Sequence, residues 1–249
     1  MTTTPPSPIA SIAWFITITT MFFVMKYMNH GEFQNWYIGI YILILVIGEY
    51  IANLSLSEYL CSSKQWGTVA LYTFIPWLVI FGSIVGVLFA FPSWLTPFSN
   101  TFGYLMAKLM GVQTVLNDIL LPKLEGKDIS KAQQEALAHI YGDRSMLINE
   151  ITTENFDTFW DNMKGLFKPE TTDALKDKLR QLVKLKEIVA EYIWYLLTGL
   201  LVTSASYNYI INSKCQKSVS DMDKQDQEYN KQDTDDTNSS DDRVYIIDD

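Results

Sequence analysis

Two polar residues one helical turn apart, Glu49 and Asn53, interrupt the apolar stretch YILILVIGEYIANLSL. An acid at membrane depth indicates a functional site by default, because a carboxyl group is costly in hydrocarbon. The chemistry would be that of a proton or cation site lining a pathway. The alternative is a protonated Glu49 that hydrogen-bonds a neighbouring helix and holds a bundle together. We favour this packing interpretation, because no second acid or histidine stands at membrane depth to relay a proton.

Other residues that carry chemistry are few. The chain has two cysteines, Cys61 and Cys215, and two histidines, His30 and His139. Their spacing fits no metal site and no CxxC motif. The sequence also contains no P-loop, GxSxG, HExxH or dinucleotide-binding motif. We therefore expect a protein that is not an enzyme and that has no cofactor and no metal ion.

The apolar residues are gathered in four blocks, over residues 9–25, 37–56, 68–91 and 192–211. A helix needs about 20 consecutive apolar residues to cross the hydrocarbon core of a bilayer. Glu49 is the one charged residue in all four blocks. The sequence therefore predicts an all-α integral membrane protein, with three transmembrane helices over 9–91 and a fourth over 187–212.

The third helix carries a GxxxG motif, formed by Gly82 and Gly86, and a proline, Pro76, that predicts a kink. A GxxxG motif allows another helix to approach closely. The partner helix is either internal or supplied by another subunit, so a homo-oligomer is one possible outcome.

Two prolines, Pro92 and Pro97, follow the third helix and predict a sharp corner. After them, apolar residues recur at helical spacing over 102–121, with few charges on the opposite face. We assign residues 92–121 to a corner and an amphipathic helix. This helix either lies in the membrane interface or covers other helices of the protein.

Residues 122–186 form the predicted helical extramembrane region, which continues without a break into the fourth transmembrane helix. Large apolar side chains recur there at helical spacing, and they form either the core of this region or a docking surface for a protein partner: Phe156, Phe159, Trp160 and Phe167. Two further segments complete the chain. Residues 1–8 are a Pro/Thr-rich arm, and the acidic composition of 213–249 predicts a disordered tail.

The net charge of −9 argues against a nucleic-acid partner, since such partners select basic surfaces. Basic residues follow the first helix at Lys26 and precede the fourth, for example at Lys184 and Lys186. The positive-inside rule then places the large loop in the cytosol and both termini on the opposite face. Cys61 and Cys215 share that face, where they can pair if the compartment is oxidising.

The corner FPSWLTPFSNTFGYLMAKLMG, after the kinked helix PWLVIFGSIVGVL, resembles a segment of predicted membrane proteins of large nucleocytoplasmic DNA viruses. The resemblance covers residues 70–112 and rests on Trp94, Pro97, Phe98, Ser99, Asn100, Thr101, Gly103 and Tyr104. It implies a structural protein of the virion, in an inner membrane derived from the host endoplasmic reticulum during assembly. Its partners would be lipid and capsid or other virion membrane proteins.

The expected function is therefore that of a structural anchor or scaffold that links a viral inner membrane to a protein layer. One alternative is a small ion channel or transporter with Glu49 and Asn53 in the pathway. Another is a protein that remodels host membranes, with the helix over 102–121 as its working part. Reshaping of liposomes by that segment would support the last alternative.

Overall fold

A computed structural model of the chain describes residues 8–29, 36–121, 142, 144–215, 222–223 and 226–227. The predicted arm over 1–8, apart from Pro8, lies outside the described residues. Most of the predicted tail over 213–249 also lies outside them, as does nearly all of 122–143.

Eight helices organise the described residues: α1 (Ile9–Met28), α2 (Trp36–Cys61), α3 (Trp66–Ala90), α4 (Tyr104–Leu109), α5 (Val112–Ile119), α6 (Arg144–Glu150), α7 (Phe156–Met163) and α8 (Asp173–Ile211). Four of them, α1, α2, α3 and α8, are long and apolar enough to cross a membrane. This confirms the predicted all-α membrane protein with four transmembrane helices.

The four long helices share an apolar core, which we call the bundle core. Phe15 and Phe23 of α1, Tyr41 of α2, Trp77 of α3 and Tyr195 of α8 are all buried in it. Many outward side chains of the same helices are exposed leucine, isoleucine and phenylalanine, as lipid-facing surfaces require. The bundle is thus apolar inside and outside, which is typical of a membrane protein.

The third helix is irregular near its middle. Pro76 lacks the backbone N–H that a regular helix uses, and a π-helical turn follows at Trp77–Phe81. On one side of this turn α2 and α3 pack closely, and Asn53 donates a hydrogen bond of 2.9 Å to Thr73. On the other side an open crevice lies between the two helices. Pro76 therefore lies inside the helix, and the kink stays a prediction.

A small helical domain lies beyond one end of the bundle, and we call that end the domain side. Its core is built from α4, α5, α6, α7 and the first part of α8. Ala107, Val115, Ile148, Phe156 and Leu179 are all buried there. Because α8 contributes to this core and to the bundle core, one continuous helix joins the two parts, as the sequence predicts.

The corner after α3 runs back along α8 in the antiparallel direction. The Nε1 of Trp194 donates a 2.9 Å hydrogen bond to the carbonyl oxygen of Trp94. Gly103, later in the corner, lies against Lys186, about two turns earlier in α8. The outer face of the corner and of α4 exposes large apolar side chains: Phe102, Leu105, Met106, Leu109 and Met110. The segment therefore covers another helix, and its apolar outer face also suits the predicted interfacial position.

The sequence predicted one continuous helix over 102–121, and this is wrong because the segment forms two helices. The helix α4 ends at Leu109, and Gly111 takes a left-handed conformation with φ 90° before α5 begins at Val112. Glycine adopts this conformation without a steric penalty. The break lets α5 turn its apolar side into the domain core, where Val115 and Leu116 are buried.

Candidate functional site

The joint between the bundle and the domain is formed around a buried lysine. The ammonium group of Lys186 donates hydrogen bonds to the carbonyl oxygens of Ile148, at 2.7 Å, and Ile151, at 2.9 Å. Lys186 is only 1% exposed. Buried ammonium groups require such acceptors, since an unpaired one would be strongly unfavourable. Lys186 therefore fastens the end of α6 to α8, and we call Gly103, Ile148, Ile151 and Lys186 the neck.

Gly103 brings the corner into contact with the same point of α8. A Cβ atom at this position would lie 2.2 Å from the carbonyl oxygen of Lys186. Only glycine permits this approach of two backbones. The neck is thus held by one close contact between backbones and by hydrogen bonds from a buried side chain, the third and longest of which goes to the carbonyl oxygen of Asn149 at 3.5 Å.

The sequence signal for the neck lies in the pattern of α8. Leu179, Leu182 and Lys186 follow one another at intervals of three and four residues, and all three are buried. A lysine on the apolar face of a helix indicates a buried polar contact. Sequence reasoning placed Lys186 among the basic residues next to the membrane and missed this role.

A second set of contacts joins α1 to α8 at the end of the bundle that lies next to the neck. Lys26 of α1 and Glu191 of α8 form an ion pair of 2.5 Å, and both side chains are largely buried. Lys184 donates a hydrogen bond of 2.8 Å to the carbonyl oxygen of Asn29. The domain-side end of α1 is therefore fixed to α8 at two points.

Replacing Lys186 by methionine should lower the free energy of unfolding by about 2 kcal/mol, because two buried carbonyl groups lose their donor. Thermal unfolding of the purified protein in detergent measures this loss. Lys178→Met is the matched control, since Lys178 is exposed on the same helix. Equal stability of the two variants would contradict the proposed role of Lys186.

The aromatic residues of the extramembrane region belong to the domain core. Phe156 is fully buried, Trp160 is buried, and Phe159 and Phe167 are partly buried against the same cluster. The ring centroids of Trp160 and Phe167 are 4.5 Å apart. Of the two interpretations of this stripe, the structure therefore supports the core and not a docking surface.

Charged side chains on the outside hold α7 against α8. Asp157 accepts contacts from Arg180 at 2.5 Å and from Lys176 at 3.1 Å. These two partners lower the pKa of the Asp157 carboxyl below its usual range. Their stabilising contribution is therefore present above the usual carboxyl pKa and is lost as the pH falls through the lowered value. The pairs are exposed, so that contribution is small.

The intramembrane polar residues form a buried group. The Ser11 hydroxyl donates a short hydrogen bond to Oε2 of Glu49, which joins α1 to α2. Asn53 joins α2 to α3 through Thr73. Among the described residues, Oε1 of Glu49 and the hydroxyl of Thr203 make no hydrogen bond. The arrangement supports the packing interpretation of Glu49 and Asn53, since both link neighbouring helices.

Counted along the spanning segments in the sequence, Glu49 of α2 would lie at the same depth as Thr203 and Ser204 of α8. Thr203 is buried and Ser204 is exposed, so only Thr203 faces the interior of the bundle. A second hydroxyl, that of Ser206, is buried on the same helix and was not predicted. The sequence feature that could have predicted the burial of Ser206 is its three-residue interval from Thr203, because this interval keeps both side chains on one face of α8.

Buried apolar side chains follow Glu49 along the bundle toward the domain side. Leu45 lies one turn from Glu49 in the direction of Ile42, which lines the crevice, and Trp77 and Phe81 precede Gly82, which also lines it. Glu49 itself does not line the crevice.

Among the described residues, no helix packs against Gly82 and Gly86. A Cβ atom at Gly86 would meet nothing within 4 Å, and one at Gly82 would meet only the carbonyl oxygen of Trp77, at 3.8 Å. The sequence left open whether the partner at this GxxxG motif is internal or another subunit, and no internal helix of the described residues takes that place. Both glycines line the open crevice. Contact with another subunit stays a prediction.

A disulfide bond joins Cys61 at the end of α2 to Cys215 just after α8. It lies at the end of the bundle opposite the domain, which we call the disulfide side. The sequence predicted that the two cysteines share a face and left their pairing open. Disulfide bonds persist in oxidising compartments, so this bond agrees with the predicted orientation of the termini away from the cytosol.

Replacing Cys61 by serine should lower the free energy of unfolding by about 2–4 kcal/mol, since the bond closes a long loop. The two cysteines are 154 residues apart in sequence. Thermal unfolding of the variant measures the effect. Reduction of the unmodified protein and the Cys215→Ser variant should each give the same shift, and an unchanged unfolding temperature would contradict a stabilising bond.

In the described ranges, no group of three or more histidine, cysteine, aspartate or glutamate side chains is close enough to hold a metal ion. Comparison of the chain with protein-family models, with curated protein sequences and with solved structures gives no match. The resemblance to membrane proteins of large DNA viruses therefore stays a prediction.

Proposed function

We propose that the protein is a non-enzymatic membrane anchor that holds a small helical domain at a fixed position over one face of a bilayer. The observation that carries this proposal is the continuity of α8. Leu179 and Val183 of this helix lie in the domain core, while Tyr195 and Val202 lie in the bundle core. A helix without interruption between two cores transmits position and orientation, because no loop between them can bend.

The neck supports the same function. Lys186 of α8 donates hydrogen bonds to carbonyl groups of the domain, and Gly103 brings the corner against the same turn of α8. The domain is thus attached to the bundle through the corner as well as through α8. A tethered domain that searches for partners would instead require a flexible linker.

The proposal extends to the setting that the sequence resemblance implies. There the bilayer is a viral inner membrane and the partner is a capsid protein or another membrane protein of the virion. The protein should then be found in purified virions, and cross-links should join its domain to coat proteins. Its restriction to host membranes would contradict this extension and leave the general anchor proposal standing.

The anchor proposal is tested by photo-cross-linking in the native membrane. A photoreactive amino acid is placed at Thr158 and at Asp161, both exposed on α7. A third variant carries it at Leu43, which is exposed on the apolar face of α2. We expect discrete protein adducts from the two domain positions and lipid adducts from Leu43. A domain that gives no protein adduct at either position would contradict a scaffold.

Transport is the second candidate, because Oε1 of Glu49 makes no hydrogen bond to the described residues. The Glu49→Gln variant separates the two functions. Glutamine keeps an acceptor for the Ser11 hydroxyl, so an anchor should assemble and cross-link normally. Liposomes containing the unmodified protein should pass no ions. Ion flux that disappears in Glu49→Gln would favour transport.

A further inference from the structure

The crevice on the domain side has a volume of about 1020 Å³ and opens between α2 and the second half of α3. This volume is at the upper end of the range for small-molecule sites. The part of the crevice that is farther from the domain, which we call its lower part, lies between transmembrane helices. It is lined by apolar and glycine residues: Ile38, Gly39, Ile42, Gly82, Val85 and Gly86. A ligand there would meet apolar side chains and helix backbone.

Three glycines give the lower part of the crevice its depth. Added Cβ atoms at Gly39 and Gly86 would meet nothing within 4 Å, so both positions face open space. A groove of this kind between two helices can receive an extended hydrocarbon chain without any movement of the protein. Its depth in the bilayer places it beside the acyl chains of the surrounding lipid.

The upper part of the crevice is polar and lies at the level of the neck. Five charged side chains line it, and their sum is −1: the cations Lys26 and Lys186, and the anions Glu154, Glu187 and Glu191. The side-chain oxygen of Asn149 also lies there, and it is buried without a hydrogen bond to the described residues. This end of the crevice therefore offers hydrogen-bond acceptors and a small excess of negative charge.

We propose that the crevice binds one phospholipid molecule whose headgroup carries a primary ammonium group. One acyl chain would lie in the groove along Gly39 and Gly86. The ammonium group would donate hydrogen bonds to Asn149 and to the carboxylates of Glu187 and Glu191, which keep free lone pairs beside their present partners. The hydroxyl groups of the corner lie within the same crevice and suit the phosphate.

The shape of the crevice favours a lipid over the helix of a second subunit. Residues 149 and 152–154 of the domain line the crevice from above the membrane-spanning part. A transmembrane helix about 10 Å wide that entered the groove would have to continue through this cover. A lipid ends at its headgroup and fits beneath it. The lipid therefore uses both the apolar and the polar part of the crevice.

Native mass spectrometry of the full chain in detergent tests the proposal. The protein is titrated separately with dioleoyl phosphatidylethanolamine, phosphatidylcholine and phosphatidylglycerol. We expect one phosphatidylethanolamine per protomer, with a Kd about tenfold below that of the other two lipids, since only this headgroup combines N–H donors with no net charge. Equal Kd values for the three lipids would overturn the headgroup assignment.

Three variants locate the site. Gly86→Leu fills the groove and should weaken the binding of all three lipids about tenfold. Gly67→Leu is the matched control, because Gly67 also faces open space but lies on the disulfide side, and it should bind as the unmodified protein does. Asn149→Leu should retain binding and lose the preference for phosphatidylethanolamine.

Thermal unfolding of each variant checks that the fold is intact. Unchanged lipid binding by Gly86→Leu would overturn the site. A dimer that occupies the crevice, seen as a doubled mass that Gly86→Leu abolishes, would also overturn it, because a second copy would then be the occupant. Neither result depends on the anchor proposal, which is tested by cross-links from Thr158 and Asp161 of α7.

Discussion

Replacing Gly103 by alanine should destabilise the protein by about 3 kcal/mol, because the new methyl group would overlap the backbone of α8. Its position is 2.2 Å from the carbonyl oxygen of Lys186 and 3.0 Å from the carbonyl carbon. A flexible side chain could move away, whereas these atoms belong to a helix fixed in two cores. We expect a lower unfolding temperature and faster proteolysis within the domain, since the corner must leave the neck.

Gly86→Ala is the control for this substitution. It introduces the same methyl group in a helix, at a position where nothing lies within 4 Å. Alanine is favoured over glycine in helices by roughly 0.5–1 kcal/mol, so this variant should be as stable as the unmodified protein or more stable. If both substitutions had the same small effect, the close approach at Gly103 would be contradicted.

Replacing Phe156 by alanine should lower the free energy of unfolding of the domain by about 3–5 kcal/mol, the usual cost of removing a large aromatic side chain from a core. Phe156 is fully buried and stacks on Trp160, with ring centroids 6.1 Å apart. The Arg180 guanidinium lies 4.6 Å from the centre of the Phe156 ring. Limited proteolysis and thermal unfolding measure the loss.

The comparison with Phe159→Ala separates a core role from a docking role. Phe159 is partly buried at the edge of the same cluster, so its loss should cost about 1 kcal/mol. A core predicts that Phe156→Ala is the more damaging variant and that it unfolds the domain. A docking surface predicts intact folding in both variants and loss of partner cross-links. The second outcome would reverse the assignment made from burial.

The spanning helices could be predicted from the sequence because the bilayer imposes a simple requirement. A helix must supply about 20 apolar residues, and the four blocks that do so are the four long apolar helices of the structure. The continuity of α8 was also predictable, since Gly199 is the one glycine or proline within Asp173–Ile211. Length and helix-breaking residues act locally, so a sequence records them directly.

The contacts between helices could be predicted only in part. Periodicity placed Phe156 and Trp160 on one face, but it did not reveal whether the covering surface was internal or external. The motif at Gly82 and Gly86 showed that a close approach was possible, and the arrangement of the described helices leaves both glycines without an internal partner helix. Such outcomes depend on the relative positions of helices, which a local pattern does not contain.

The joint at Lys186 was missed for a related reason. A lysine next to a transmembrane segment is usually solvated or directed toward lipid headgroups. The buried carbonyl groups of Ile148 and Ile151, some 35 residues away in sequence, make this lysine an exception. Sequence reasoning assigned the more common environment because the acceptors are backbone atoms, which every residue carries.

The disulfide bond and the ion pair of Lys26 with Glu191 hold α8 at opposite ends of the bundle. The helix is therefore restrained against sliding along its axis and against rotation about it. A force that pulls on the domain would pass through α8 into α1 on one side of the membrane and into α2 on the other. The mechanical strength of the attachment is then that of several helices together, and separation of α8 from α2 would first require the disulfide bond to break.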